Sequence, residues 1–285
     1  MTAVILGLLA ALANASQALV SKRLTVRYPA RQLIGVLFTW NCLVMLPFAP
    51  FVPWHWSGEA IAFHVASAAL LVVTSVAIWD MFDRGAASST TTASALSPVA
   101  AAVFAAILLP GTLGTADALA AIVVTGGVLW ALSGAFGEVG RWWVLWRVLA
   151  AAAGHGLLAV VTRMQADIGV GVVETYVVRT ALAAAVTLAL FPPRDVPLSS
   201  TPVLLMRSLL ITLSWVLLIL GIQQGSPVVV QTLVATTPLF VLAVESWRSR
   251  TRPPARVLGA ALLVVVGVAI ILAGEAGNDP SRTLR

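Results

Sequence analysis

The sequence predicts an all-α integral membrane protein of ten transmembrane helices, built as two inverted five-helix repeats around a central cavity. Three observations predict it. Hydrophobic residues make up 60% of the chain and charged residues 10%, with a mean hydropathy of +0.98, whereas a soluble domain is about 25% charged. The apolar runs are long and rich in Ala, Leu and Val without period-2 alternation, so helices rather than a barrel satisfy the backbone in hydrocarbon. The stretch from Gly85 to Gly134 recurs without a gap as Gly225 to Gly274, an offset of 225 − 85 = 140 residues. Gly85, Thr92, Ala95, Pro98, Gly127, Val128 and Gly134 fall on Gly225, Thr232, Ala235, Pro238, Gly267, Val268 and Gly274.

The rest of each half aligns at almost the same shift, Leu19-Val20-Ser21-Lys22 on Val160-Val161-Thr162-Arg163. The chain divides into a first unit, residues 1–140, a second, residues 141–275, and a short polar tail, residues 276–285. Solenoid repeats are much shorter and come in larger numbers, so this is a duplicated domain. A bilayer core needs about 20 apolar residues per helix, which fits five spans in each unit. An odd number of spans makes the second unit enter the membrane from the opposite side, and inverted repeats of this kind are the physical basis of alternating access. The single cysteine, Cys42, cannot form an intramolecular disulfide. The first 21 residues lack the basic start of a signal peptide and read as a retained helix.

Span 1, about Thr2 to Ser21, carries Asn14, Gln17 and Ser21 at i, i+3 and i+7, on one face. Polar side chains at mid-membrane depth face protein or water, so this face looks inward. Span 2, about Gln32 to Phe51, has Trp40 and Asn41 at its middle, and the loop after it holds Trp54 and Trp56 as interfacial anchors. Span 3, about Ile61 to Phe82, ends in Asp80, Asp83 and Arg84. The simplest reading of Asp80 and Arg84 is an i, i+4 ion pair at the helix end.

Span 4 opens on hydroxyl residues, Ser88 to Thr92 and Ser94, and passes through Pro98. Its copy, span 9, carries Gln231, Thr232, Thr236, Thr237 and Pro238. Proline-broken helices at matching positions of two repeats are the sequence pointer to a midplane binding site, with Pro98 and Pro238 as hinges. Spans 5, about Ala116 to Ser133, and 10, about Val257 to Ala273, are almost wholly apolar, which places them at the periphery.

Span 6, about Val144 to Thr162, puts His155 at mid-depth, where the 141-residue offset makes it the counterpart of Asn14. Span 7, about Val170 to Phe191, holds Arg179 near its centre. An arginine there costs at least about 2.5–3.5 kcal/mol on insertion scales and stays charged, so it must face a partner or a wet cavity. Tyr176 is one turn away on the same face, whereas Glu174 points about 140° elsewhere by the helical repeat. Span 8, about Val203 to Ile222, carries Ser214 and Trp215.

The charge pattern sets an expected orientation. With the N-terminus outside, 13 Lys and Arg residues, Arg147 and Arg207 among them, fall on cytoplasmic loops against 3 outside, so the positive-inside rule predicts a multi-pass plasma (inner) membrane protein with both termini external. The net charge of +6 suits anionic lipid headgroups, and nothing points to nucleic acid.

These residues resemble the drug/metabolite transporter superfamily, specifically its EamA-type ten-helix exporters. The resemblance rests on Leu96-Ser97-Pro98-Val99 and Thr236-Thr237-Pro238-Leu239, on the Gly-Val-x5-Gly endings at Gly127 and Gly267, and on Arg179. It implies secondary transport of small organic solutes through a cavity lined by spans 1–4 and 6–9, and it implies cytoplasmic termini, the reverse of the charge count. Two features depart from the family pattern. Leu109-Pro110-Gly111-Thr112 lacks the acidic residue common in the span 4–5 connection, and Phe38 and Trp40 stand where relatives often have an arginine.

The expected substrate site comprises Asn14, Gln17, Asn41, Ser94 and Gln231 as hydrogen-bonding groups, Trp40, Tyr176 and Trp215 as walls, Arg179 as an anchor for a carboxylate or phosphate, and His155. His155 is also the central candidate for proton coupling. The expectation is a non-enzymatic exporter of metabolites such as amino acids or organic acids, without cofactor or bound metal, working as a monomer or homodimer. The alternatives are an exporter of drugs or hydrophobic amines, a magnesium permease, and a prenyl or lipid-phosphate transferase using Asp80 and Asp83.

Overall fold

The computed structural model describes residues 2–83, 87–111, 113–132, 142–197, 200–250 and 255–277, with the side chains of 22–23, 82–83, 87–94, 131–132, 143–144, 245, 249, 256–257 and 275–277 excepted. The helices in chain order are α1 (Thr2–Thr25), α2 (Ala30–Met45), a 3₁₀ segment (Leu46–Phe51), α3 (Gly58–Asp83), α4 (Ala87–Leu108), α5 (Thr115–Leu132), α6 (Trp142–Asp167), α7 (Val172–Leu190), α8 (Thr201–Gln224), α9 (Pro227–Val234), α10 (Thr237–Ser249) and α11 (Ala255–Gly277). By length and composition they supply seven long apolar spans and three shorter apolar stretches, Ala95–Leu108, Thr115–Trp130 and Leu258–Gly274. Span 2 tightens into its 3₁₀ segment where Pro47 and Pro50 remove backbone donors.

The packing pairs obey the exchange of two five-span halves. α1 packs on α8 as α6 packs on α3, and α4 packs on α6 as α9 and α10 pack on α1. α2 meets its counterpart α7, and α5 meets its counterpart α11. These last two contacts lie where the halves face each other, as two inverted five-helix repeats require.

The α5–α11 contact explains the duplicated glycines. A Cβ at Gly127 would lie 2.9 Å from Leu263 Cβ, one at Gly267 2.4 Å from a methyl of Val124, and one at Gly259 2.4 Å from the Trp130 ring. Glycine lets the backbones approach. The other faces of the pair expose Ile122, Leu258, Leu262 and Val265, an apolar exterior that suits lipid and the expected peripheral position.

The two proline-containing spans are not equivalent. Span 9 is divided, α9 ending at Val234 and α10 starting at Thr237, with Pro238 in its first turn. Span 4, expected to break likewise, runs as one helix through Pro98. The difference lies in the residues before the proline. Thr236 Oγ1 donates to Leu233 O and Thr237 Oγ1 to Val234 O, both at 2.6 Å, and the second satisfies the carbonyl that Pro238 leaves without its N–H donor. In span 4 the matching pair is Leu96 and Ser97, and the Ser97 hydroxyl reaches across to Gln231 Oε1 at 3.3 Å.

Ion pairs tie one end of the bundle. Asp80 receives Arg31 of α2 at 2.6 and 2.9 Å and Arg147 of α6 at 3.2 Å; Asp83 and Arg84, the latter its expected partner, lie outside the described side chains. Both Asp80 oxygens therefore serve guanidinium groups, which removes the carboxylate that a magnesium site would use. At the same end Gln32 exchanges two hydrogen bonds with Asp195, 2.7 and 2.9 Å. At the other end Arg163 donates to the carbonyls of Ile222, Gln223 and Gly225, at 3.3 to 3.4 Å, and pairs with Asp167 at 2.9 Å. It caps the C-terminus of α8, whose last carbonyls have no helical donor.

Candidate functional site

A cavity of about 190 Å³ lies between the halves. Four helices line it with single faces. Asn14, Gln17, Ala18 and Ser21 come from α1, Ile34, Leu37, Phe38 and Asn41 from α2, Leu71, Ser75, Ile78 and Trp79 from α3, and Arg207, Ile211, Ser214, Trp215 and Leu218 from α8. Each set follows the 3–4-residue spacing of one helix face. Ser97, His155, Gln231, Val234, Thr237, Pro238 and Val241 complete the wall, so the divided span 9 forms one side. Among the described residues, none of α5, α7 or α11 lines it.

A continuous ladder of polar groups runs along the α1 side. Asn14 Nδ2 donates to Thr237 Oγ1 at 3.4 Å, Gln17 Nε2 to Asn14 Oδ1 at 2.8 Å, Ser21 Oγ to Gln17 Oε1 at 3.0 Å, and Arg207 Nε to Ser21 Oγ at 3.2 Å. From Asn14 to Ser21 the ladder climbs about 10 Å at about 1.5 Å per residue, from mid-membrane depth to the end tied by Asp80. Arg207 is only 8% exposed. Its guanidinium lies over the Trp79 ring, 5.9 Å from the centroid, in reach of a cation–π attraction. Opposite the ladder, His155 meets Trp215 with ring centroids 6.4 Å apart, and the buried Asn41 keeps its Oδ1 without a partner among the described residues.

Of the site residues expected from sequence, Asn14, Gln17, Asn41, His155, Trp215 and Gln231 line the cavity, as does Pro238. Asn14 and His155, counterparts under the repeat, therefore face one space. Ser94 falls outside the described side chains, and Pro98 is buried next to Ser97 in α4.

Trp40, Tyr176 and Arg179 are placed elsewhere. Trp40 sits about 100° around α2 from Asn41 and packs against a core that includes Leu33 and Leu37. Tyr176 is buried with its hydroxyl 2.9 Å from Thr212 Oγ1. Arg179, 1% exposed, turns toward α6 and donates from Nη2 to Thr162 Oγ1 at 2.8 Å and to Gln165 Oε1 at 2.9 Å. The deep arginine thus finds neutral acceptors, and Glu174 does not contact it directly.

Arg207 is the residue that sequence reasoning missed. It was counted with the loop cations, whereas it belongs to α8. Its spacing to Ile211, Ser214, Trp215 and Leu218, i+4, i+7, i+8 and i+11, is the signal that places it on the face of Trp215. Phe38, Trp79, Ser97 and Thr237 join the site by the same kind of register.

The model of the EamA-like transporter family matches residues 1–133 and again residues 141–273. No curated protein matches the chain in sequence. A crystal structure of another protein superposes with a TM-score of 0.76 at 19% identity, over 97% of this chain and 99% of that one, a likeness of fold. The family match covers both halves and nearly the whole length, and the chain belongs to the EamA-like transporter family, within the drug/metabolite transporter superfamily.

Proposed function

We propose that the protein is a secondary transporter that exports small organic metabolites bearing an anionic group, such as amino acids or organic acids, by alternating access through this cavity. One observation carries the reading: a buried arginine, Arg207, ends a ladder of neutral hydrogen-bonding groups inside an otherwise apolar and aromatic space. A guanidinium in such a setting suits a carboxylate or phosphate, while Asn14, Gln17 and Gln231 suit the neutral polar part of the same solute. The volume of about 190 Å³ is below the roughly 300–1,000 Å³ of drug-sized pockets and favours a small metabolite.

Phe38, Trp79 and Trp215 in the wall favour a second reading, a hydrophobic amine held by aromatic rings. Against it, Trp79 already carries the cation of Arg207, and the lining includes no carboxylate among the described residues. With the termini outside, as the charge count predicts, the cavity extends toward the cytoplasm from mid-membrane and Arg163 lies at the outer end; the orientation implied by relatives reverses both.

The test is ligand-dependent thermal stability of the purified protein, over anionic, zwitterionic, cationic and neutral metabolites. A ligand at about 100 times its dissociation constant adds about 2.7 kcal/mol to the native state. Stabilisation by amino acids or organic acids that is lost in Arg207→Gln supports the reading. Stabilisation by cationic amines alone refutes it.

A further inference from the structure

A second polar cluster lies outside the cavity, between α3, α6 and α7. Glu174 is fully buried and accepts the backbone N–H of His55 at 3.1 and 3.2 Å. Its Oε1 is 3.2 Å from Nε2 of His64, 2% exposed. The other ring nitrogen, Nδ1, is 3.1 Å from Gln165 Nε2, and Gln165 Oε1 receives Arg179.

This chain of contacts fixes the protons. A guanidinium only donates, so Gln165 must turn its oxygen to Arg179 and its NH₂ to His64. His64 Nδ1 is then an acceptor, the ring is neutral, and its proton sits on Nε2, donated to Glu174. A second ring proton on Nδ1 would face the NH₂ of Gln165, donor against donor. It is accommodated when the Gln165 amide turns over, and the NH₂ then faces Arg179, whose bond to Gln165 is lost. The new imidazolium charge is matched by Glu174 beside it.

We propose that this cluster is a proton-binding site, with the proton taken at His64 Nδ1, and that this proton, rather than one on His155, is the coupling ion of transport. The coupling role rests on the transporter reading above; the binding does not. The step adds a solvent proton to the Nδ1 lone pair and leaves water behind.

His55, whose side chain is 42% exposed and whose Nδ1 lies 3.5 Å from Glu174 Oε2, flanks Glu174 on the Nε2 side of the His64 ring. The other charged or titratable groups around the cluster are Glu59 at the start of α3, the Arg163–Asp167 pair on α6, Arg179 and Tyr176 on α7, and Cys42 of α2, which approaches Val177 O. Arg179 and Gln165 join α7 to α6, and α6 carries Arg163 onto the end of α8. Proton binding therefore loosens α7 from the helix that closes that end.

The chain has three histidines, so nitrogen NMR of the full-length, ¹⁵N-histidine-labelled protein can follow each ring, with His55→Gln and His155→Gln as assignments. The expected result is a neutral His64 ring protonated at Nε2 at pH 8 that gains its second proton, at Nδ1, on acidification. A ring protonated at Nδ1 at pH 8, or one that stays neutral to pH 5, overturns the proposal without any variant having to fold.

For coupling, the shift in thermal midpoint produced by a stabilising metabolite should differ between pH 8 and pH 5 in wild type and in His155→Gln and should lose that difference in His64→Gln. A difference that follows His155 instead overturns the coupling role. The transporter reading fails separately, if no metabolite in the panel stabilises the protein at either pH.

Discussion

Arg207 and Ser21 stand 186 residues apart in the chain and meet at 3.2 Å, so the cavity's cation is held by the first helix of one half and the third helix of the other. The bond leaves the rest of the guanidinium fork available to a solute. Replacing Arg207 with Gln removes one charge-assisted interaction, worth about 1.5–3 kcal/mol, and the dissociation constant of an anionic ligand should rise about 10- to 100-fold. Titration of a stabilising metabolite against wild type and Arg207→Gln measures this directly.

Arg179 should behave differently from Arg207. It bonds Thr162 and Gln165 inside protein, and its Nε and Nη1 have no partner among the described residues. Arg179→Gln leaves the acceptors on α6 short of a donor, at about 1–3 kcal/mol for each unsatisfied group. The expected outcome is a lower thermal midpoint with ligand affinity within a few-fold of wild type. Loss of binding at unchanged stability would instead make Arg179 the anchor.

Two neighbouring glycines on α5 should respond with opposite signs. A Cβ at Gly127 meets Leu263 Cβ at 2.9 Å, whereas one at Gly126 meets nothing within 4 Å. Gly127→Ala forces the α5–α11 contact apart and should cost about 1–3 kcal/mol, the range for overpacking. Gly126→Ala gains helix propensity and should leave the thermal midpoint unchanged or raised. Thermal unfolding of the two variants in the same detergent makes the comparison.

Arg163 closes the end of the bundle where α8 stops, by donating to the carbonyls of Ile222, Gln223 and Gly225. Arg163→Gln should free that end, and a cysteine placed at Gln223 in a Cys42→Ser background should then react several-fold faster with a water-soluble maleimide. Equal rates with and without Arg163 would mean that the cap is only a helix terminator.

Helix number and the duplication were legible in the chain because apolar length and a constant offset are one-dimensional signals. So was part of the site: Asn14 and His155 are matched by the offset, and both line the cavity. Arg179 stood out by depth alone, but depth does not say which neighbour a side chain faces, and its partners Thr162 and Gln165 are given only by the fold, which lets its side chain reach α6. Trp40 shows the same limit, since one residue of register, about 100° of rotation, separates it from Asn41 in the wall. For Asp80 the sequence offers only the basic residue nearest along the chain, and the fold brings it Arg31 and Arg147 from two other helices.

The division of span 9 has no equivalent in span 4, and that inequality bears on direction. A carrier whose halves were identical would have two end states related by a swap, hence degenerate, and would wait on either side of the membrane equally often. Here one half is divided and the other is continuous through its proline, so under the proposed alternating access the swap is not a symmetry of the molecule. Each difference of about 1.4 kcal/mol between the end states changes their ratio about tenfold. Under the proposed mechanism the two halves therefore contribute unequally, and the inequality starts at one pair of positions, Leu96 in one half and Thr236 in the other.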